Sequence, residues 1–218
     1  MASTADIIEN LKHSLELPNV LSELQAYWDE EQKRRMLFYD MLDNGTKAEF
    51  INGEVIIHSP AKAKQIEAVG NLSTLLNVFV KKNDLGKVFS EKALIKLTRN
   101  DFEPDICFFR KETASKFDKE MMFFPPPDFV AEVLSESTEN IDRTIKMESY
   151  ALNGIQEYWI VDADKHIVEQ YLLKENKYYL VNKWNKQMVK SFVIKGFEIP
   201  AEVIFSEEDT AEFFELLK

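Results

Sequence analysis

The segment FVAEVLSESTENIDRTIKMESYALNGIQEYWIVD, residues 129–162, carries the clearest pattern of secondary structure in the sequence. It opens on an apolar run, Phe129–Leu134, that is typical of a buried strand. A turn then precedes Glu139–Leu152, which we expect to be helical and to end at the Asn-Gly pair after it. A second apolar run, Gln156–Val161, follows. Strand, helix and strand in this order predict a mixed α/β fold.

Segments on either side of this stretch extend the same pattern. Asn52-Gly53 between two short apolar runs, Ala48–Ile51 and Val55–His58, is typical of a β-hairpin. Apolar residues at helical spacing predict a helix over Ala63–Val80. We further expect strands at Lys87–Glu91, Ala93–Leu97, Asp105–Phe109, His166–Leu173, Tyr178–Lys183 and Ser191–Ile194, and a last helix at Glu207–Leu217.

The N-terminal part of the chain differs from the rest. Residues 21–43 are helical in pattern, with Ser22 as the expected N-cap and Asp43-Asn44-Gly45 at the end. We therefore predict two parts, a helical extension over residues 1–43 and an α/β domain over residues 44–218. The extension is a candidate contact between two copies of the chain.

Composition excludes several classes of protein. The chain has 218 residues, 45% of them hydrophobic, and no apolar run near the ~20 residues that a membrane helix needs. We expect no membrane association and no signal peptide. The single cysteine, Cys107, excludes a disulfide framework, so we expect a cytoplasmic protein. There is no serine-histidine-aspartate arrangement and no glycine-rich phosphate loop.

Charge is unevenly distributed along the chain. The net charge of -11 argues against nucleic-acid binding by bulk electrostatics. Residues 60–100 nevertheless carry 8 basic and 3 acidic side chains, whereas residues 101–173 carry 7 and 16. These lysines are either solvated surface residues or a basic rim around a carboxylate pocket. Such a rim suits a phosphate-bearing substrate and a divalent metal.

Two acids and a lysine are the candidates for chemistry. Asp105 begins a predicted strand, and Glu132 lies inside an apolar one, where a buried charge needs a partner. If the two strands are neighbours, Asp105 and Glu132 can share Mg²⁺ or Mn²⁺. Lys146 on the following helix would then orient a water or stabilise the transition state. The alternative is a structural ion pair of Glu132 with Lys146 or Arg143.

Other polar candidates are weaker. His13, His58 and His166 are far apart and lack metal-ligand spacing, so we expect no catalytic histidine. Tyr158 and Trp159 could stack on a base, but a core position is the stronger expectation.

Three motifs resemble the Uma-two family of proposed endonucleases, within the restriction-endonuclease-like PD-(D/E)XK superfamily. They are KAEFINGEVIIHSP (residues 47–60), EPDICFF (residues 103–109) and the stretch from Pro127 to Asp162, and the resemblance covers residues 45–200. It implies a restriction-endonuclease-like fold, with a mixed central β-sheet flanked by helices.

The resemblance also implies roles for individual residues. Asp105 and Glu132 become the metal-binding acids, and Glu49 the carboxylate of the hairpin. The superfamily's strand lysine is absent, because Glu132 is followed by Val133 and Leu134, and Lys146 on the next helix takes its place. Gln65 stands where the family often has a histidine. Glu67 is a possible substitute ligand, although we expect a solvated carboxylate there.

The function implied is metal-dependent hydrolysis of phosphodiester bonds in DNA, with Mg²⁺ or Mn²⁺ as cofactor and a homodimer as the working form. The alternative is a non-catalytic nucleic-acid-binding or regulatory module on a nuclease fold. A metal response that depends on Asp105, Glu132 and Lys146 would favour the enzyme. DNA binding without metal dependence would favour the module.

Overall fold

A six-stranded sheet forms the centre of the fold in the computed structural model, which describes residues 4–42 and 47–217. The strands are β1 (Ala48–Ile51), β2 (Glu54–Ile57), β3 (Gly86–Ser90), β4 (Leu94–Lys96), β5 (Asp101–Phe102), β6 (Ile106–Arg110), β7 (Phe123–Phe124), β8 (Phe129–Val133), β9 (Glu157–Asp162), β10 (Ile167–Lys174), β11 (Lys177–Trp184), β12 (Met188–Lys190) and β13 (Glu198–Pro200). The mixed α/β class predicted from the sequence is confirmed.

Helices cover both faces of this sheet. The α-helices of the described residues are α1 (Thr4–Lys12), α2 (Leu17–Met41), α3 (Ala63–Lys82), α4 (Lys111–Ala114), α5 (Glu139–Ile141), α6 (Met147–Leu152) and α7 (Glu207–Leu217). A π-helical turn, Asp142–Lys146, joins α5 to α6, and a 3-10 turn, Ala201–Phe205, precedes α7. No helix within the described residues is long and apolar enough to cross a membrane.

The large sheet has the strand order β11-β10-β9-β8-β6-β3. Only β8 and β9 run parallel, and the helical segment between them makes the crossover. β6 and β8 are antiparallel neighbours with Ile106 opposite Ala131. This register places Asp105, just before β6, opposite Glu132 on β8.

Alternation along β6 and β8 divides their side chains between two cores. Phe129, Ala131 and Val133 pack with α3 in the first core. Val130 and Leu134 pack with Tyr150 in the second core, on the opposite face of the sheet. Glu132 has the parity of the second set, so its carboxylate points toward the helix that carries Tyr150.

A smaller five-stranded sheet, in the order β2-β1-β5-β4-β7, packs beside the second core. It begins with the predicted hairpin, in which Asn52 and Gly53 both have positive φ (50° and 88°). These values suit the tight turn between β1 and β2. The hairpin delivers β1, a strand whose four residues are all buried, to the edge of the candidate site.

The structure corrects the prediction for the N-terminal region. α2 begins at Leu17 with a proline in its first turn, so Ser22 lies inside the helix and is no cap. α1 precedes it and has no buried residue. The predicted stop at Asp43–Gly45 lies outside the described residues, and the division of the chain at residue 43 stays a prediction.

The strand predicted at Ser191–Ile194 is wrong, because this segment is a turn built around a buried carboxylate. Glu157 Oε2 accepts hydrogen bonds from Ser191 Oγ (2.7 Å) and from the backbone N–H groups of Phe192 and Val193 (2.9 and 3.0 Å). The strands β12 and β13 lie on either side of this turn instead.

A buried ion pair anchors the second half of α2 to the small sheet. Arg35 donates from Nε to Asp101 Oδ2 (2.7 Å) and from Nη2 to Oδ1 (2.5 Å). Tyr39 donates to Asp101 as well (2.9 Å), and Arg35 also binds the carbonyl of Leu97 (2.7 Å). Both charges of the pair are buried, so each depends on the other.

We expect Arg35→Met to lower the free energy of unfolding by roughly 3–5 kcal/mol, because it leaves Asp101 buried without its counter-ion. Chemical denaturation followed by circular dichroism measures the change. Lys33→Ala is the matched control, since Lys33 forms an exposed i,i+3 pair with Glu30 and its loss should have no measurable effect. Equal stability of the two variants would contradict the anchoring role.

Candidate active site

A cleft of about 500 Å³ opens where the large sheet, the hairpin and the π turn meet. Its lining includes Lys47, His58, Asp105, Glu132, Asp142 and Lys146. The start of α3 and the turn after β8 form the opposite wall. Three of the four residues predicted from the sequence therefore line this one cavity, and the fourth, Glu49, lies directly behind it.

Asp105 and Glu132 lie side by side as their register requires. The backbone N–H of Asp105 donates to Glu132 Oε2 (3.3 Å), and the N–H of Val133 donates to Asp105 Oδ2 (2.8 Å). The Asp105 side chain is 15% exposed, whereas that of Glu132 is 2% exposed. Asp105 is thus the acid with more access to the cleft.

Lys146 forms the centre of a buried cluster of charges. Its Nζ lies 3.0 Å from Glu132 Oε1, 3.1 Å from Glu49 Oε1 and 3.2 Å from Asp142 Oδ1. The Glu132–Lys146 ion pair that the sequence allowed is therefore present, but Lys146 is shared among three acids. Arg143, the other possible partner, binds Glu169 instead (2.8 Å).

The π turn presents this cluster to the cleft. Asp142 and Lys146 are its first and last residues, and both are buried, whereas the intervening Arg143 and Thr144 are not. Single π turns within helices occur frequently at functional sites. The sequence predicted an uninterrupted helix here, because a π turn has no distinct pattern of residue types.

Two carboxylates of the cluster, Glu132 and Glu49, have further hydrogen bonds that fix them. Tyr150 donates to Glu132 Oε1 (2.7 Å). Glu49 accepts the N–H of Glu103 at Oε1 (2.9 Å), and its Oε2 lies 2.8 Å from His58 Nε2. Glu54, on the neighbouring strand of the hairpin, faces solvent near Arg34.

Burial and neighbouring charges move these pKa values in opposite directions. Burial raises the pKa of Glu132 to about 8, aided by the nearby carboxylates and opposed by Lys146. Burial acts on Glu49 as well, but the charges of Lys146 and the contact with His58 outweigh it and lower the pKa of Glu49 to about 2. The three acids hold the pKa of Lys146 well above its usual range despite burial. Glu49 and Lys146 thus form an ion pair near neutral pH.

Sequence reasoning missed Lys47 and underrated His58. Lys47 Nζ donates to Asp105 Oδ1 (2.7 Å), and His58 contacts Glu49 inside the cleft. The signal was present for the lysine, since Lys47 and Glu49 are two residues apart at the start of a strand and share a face. The sequence predicts no catalytic role for His58, because the histidines lack metal-ligand spacing. The structure instead places His58 against the carboxylate of Glu49.

The other residues singled out in the sequence have structural or solvent-facing positions. Gln65 is buried and caps α3, accepting the N–H of Lys62 (2.8 Å). Glu67 is exposed, as expected for a solvated carboxylate. Tyr158 and Trp159 are completely buried core residues, which confirms that expectation.

The basic rim predicted from residues 60–100 stays a prediction, because no lysine of this block is among the described residues that line the cleft. Lys62 is the N-cap of α3 and Lys64 lies in its first turn, next to the lining residues Ala61 and Gln65. Lys62 pairs with Glu136 (2.6 Å), and Lys64 pairs with Asp164. The acidic middle of the chain therefore supplies partners to the lysines of the preceding block.

The donor chemistry at Asp105 and Glu132 fits a hard divalent cation. Both offer carboxylate oxygen, and Mg²⁺ typically takes one or two protein carboxylates, with waters and substrate phosphate oxygens completing its shell. Among the residues that the structure describes, no three His, Cys, Asp or Glu side chains are arranged as an all-protein metal site. A cation here would therefore depend on the substrate and water for most of its ligands.

The fold of this chain matches that of a solved α/β protein. A crystal structure from Anabaena variabilis, described as "a putative nuclease belonging to DUF820", superposes with a TM-score of 0.67 at 17% sequence identity. The match covers 77% of this chain and 94% of that one, and it establishes the fold.

Sequence comparison identifies the family. Residues 35–202 match the Uma2 family, described as "Putative restriction endonuclease", and the chain belongs to this family. An uncharacterized protein from Synechocystis is 33% identical over 128 residues, which cover 57% of this chain and 71% of the relative. The family resemblance read from the motifs is confirmed.

The charged pair of Glu49 predicts an acid-dependent loss of stability. Because its pKa is lowered from 4.5 to about 2, the carboxylate stabilises the fold above pH 4.5, and this contribution falls as the pH falls toward 2. We expect the stability advantage of the wild type over Glu49→Gln to shrink by about 2 kcal/mol between pH 6 and pH 3.

Urea unfolding at a series of pH values measures this difference. Glu148→Gln is the control for loss of one carboxylate, since Glu148 is exposed on α6 and lies outside the buried cluster. A pH-independent difference for Glu49→Gln would contradict the charged pair.

Proposed function

We propose that this protein is a metal-dependent endonuclease of the PD-(D/E)XK type that hydrolyses phosphodiester bonds in DNA. The observation that carries the proposal is the placement of Asp105 and Glu132 side by side on adjacent strands, with Lys146 Nζ 3.0 Å from Glu132 in the same cleft. Membership of a family described as restriction endonucleases supports the nuclease class.

The residues of the cleft would have separate roles in phosphodiester hydrolysis. Asp105 and Glu132 would hold Mg²⁺ or Mn²⁺, which supplies a Lewis acid that activates water and polarises the phosphate. Lys146, a buried residue of the cleft lining, would orient the attacking water with its ammonium and offset the charge of the transition state. Glu49 and Asp142 fix that ammonium in place and keep it protonated.

The alternative, a non-catalytic nucleic-acid-binding or regulatory module, has one observation in its favour. Each proposed metal-binding acid already has a lysine partner, Lys47 for Asp105 and Lys146 for Glu132. A fold retained for binding alone would show the same neutralised acids. Metal-dependent cleavage distinguishes the two functions.

We expect Asp105→Asn and Glu132→Gln each to lower plasmid nicking in Mg²⁺ or Mn²⁺ by at least about 100-fold, because each removes a charged metal ligand. Lys146→Met should lower nicking by roughly 10²–10³-fold through loss of transition-state stabilisation. Agarose gels of supercoiled plasmid measure the rates, and circular dichroism confirms folding.

Glu67→Gln is the matched control, because this exposed carboxylate on α3 should leave the rate unchanged. Wild-type protein that binds DNA equally with and without metal, and does not nick it, would favour the non-catalytic module. Equal nicking by Asp105→Asn and the wild type would contradict the assigned site.

We further propose that two copies pair through the first half of α2 to form a homodimer. A stripe at alternating spacings of four and three residues runs along this helix. Its second half, Glu31, Arg35 and Phe38, is buried against the body of the protein. Its first half, Leu21, Leu24 and Trp28, is exposed by 57%, 57% and 37%. This spacing is that of the contact face in helix pairs.

Leu21→Glu combined with Leu24→Glu should convert a dimer into a monomer, because the charges would face each other across the helix pair. Size-exclusion chromatography with light scattering measures the mass. Leu37→Glu is the control, since Leu37 is 60% exposed on the same helix but lies outside the stripe. A monomeric wild type would refute the pairing.

Location in the cytoplasm also stays a prediction.

A further inference from the structure

Lys47 is a charged group of the cleft to which the proposed reaction gives no role. It stands immediately before β1, where its carbonyl accepts the N–H of His58 (3.1 Å) and fixes the backbone beside the cleft. Its Nζ lies 2.7 Å from Asp105 Oδ1 and 3.7 Å from Glu91 Oε2. Asp105 Oδ2 is already bonded to the N–H of Val133, so Lys47 is bound to the other carboxylate oxygen.

The two lysines of the cleft are held very differently. Lys146 is 2% exposed and surrounded by three carboxylates within 3.2 Å, so it cannot leave without uncovering several buried charges. Lys47 is 20% exposed, and its close partner is Asp105, the more accessible of the two acids. A lysine ammonium on a flexible four-carbon stem can swing aside at little cost when its partner is taken by another cation.

We propose that Lys47 is an internal counter-ion of Asp105 that a divalent cation displaces on binding, which frees the Lys47 ammonium to pair with a phosphate oxygen in the cleft. This inference rests on the proposed function, because it takes Asp105 as a metal ligand. Lys47 is thereby a positioning residue. It keeps the acid neutralised and the cleft intact before metal and substrate arrive.

The displacement makes metal affinity depend on how firmly residue 47 holds Asp105. Lys47→Met preserves the length of the side chain and removes the competing charge, so the free protein should bind Mn²⁺ at least about tenfold more tightly than the wild type. Lys47→Arg offers a planar fork that grips a carboxylate more firmly, so it should bind Mn²⁺ more weakly. A purely structural lysine would give the opposite result for Lys47→Met, because loss of structure weakens binding.

Mn²⁺ dissociation constants for the purified full chain, read from the electron paramagnetic resonance of free Mn²⁺, test the order Met, Lys, Arg from tightest to weakest. Lys62→Met controls for the general loss of one positive charge near the cleft, since Lys62 pairs with Glu136 rather than with Asp105. It should change the dissociation constant by less than about threefold. Lys47→Met combined with Asp105→Asn should lose the gain.

Thermal unfolding in EDTA and in Mn²⁺ gives a second reading. Lys47→Met should melt below the wild type in EDTA and recover in Mn²⁺, because the metal replaces the missing counter-ion. Equal or weaker Mn²⁺ binding by Lys47→Met, or equal gains in Lys47→Met and Lys62→Met, would overturn the inference. If Lys47→Met fails to fold, weaker binding by Lys47→Arg still supports the displacement, and unchanged binding overturns it.

Nicking assays on the same proteins separate this inference from the proposed function. The expected affinity order without any nicking would leave the displacement standing and refute the nuclease. Nicking that depends on Asp105, combined with the same Mn²⁺ affinity in all three proteins, would refute the displacement alone.

Discussion

A single buried ammonium, that of Lys146, constrains the site more than any other group. An isolated charge in the interior costs several kcal/mol, so its burial requires compensating charges at close range. Glu132, Glu49 and Asp142 supply them from β8, from the hairpin and from the helix itself. The large sheet, the small sheet and the π turn must therefore be brought together before Lys146 can be buried. The same contacts that assemble the fold assemble the candidate active site.

The two acids on the sheet have the same chemistry but different surroundings. Glu132 is enclosed by Lys146, Tyr150 and the edge of the second core, and burial raises its pKa to about 8. Asp105 faces the cleft, and its counter-ion comes from a more exposed lysine. Two acids in different environments can have different roles, with one held in a fixed position and the other open to the cleft. This asymmetry follows from the register of β6 and β8 together with the neighbours that each strand end meets.

Local sequence signals predicted most of the fold. The Asn-Gly turn, the apolar period of α3 and the apolar runs of β6, β8 and β9 each define an element by nearby residues alone. The strands β5 and β7, of two residues each, carry no pattern of their own and exist because longer neighbours pair with them. The turn at residues 191–194 was mistaken for a strand, since its apolar residues are held by the distant Glu157.

Only part of the candidate site could likewise be predicted from the sequence. Asp105, Glu132 and Lys146 were recognisable because charges in apolar runs demand partners and because the motifs resemble those of a known family. The structure also brings Glu49, which the family resemblance implied as the carboxylate of the hairpin, into contact with Lys146, and this contact was not predicted. The ion pair between Lys47 and Asp105 joins residues that are 58 positions apart in the sequence. The distance between their side chains depends on how the two sheets pack. Such a contact has no local signature.

The hairpin carries several polar residues of the candidate site within one short segment of the chain. Within residues 47–58 it provides Lys47, Glu49 and His58, whereas the sheet and its helix provide Asp105, Glu132 and Lys146. The two groups are encoded apart and meet only in the folded protein. Substitutions confined to this hairpin would therefore change the charge of the cleft without altering the strands that carry Asp105 and Glu132.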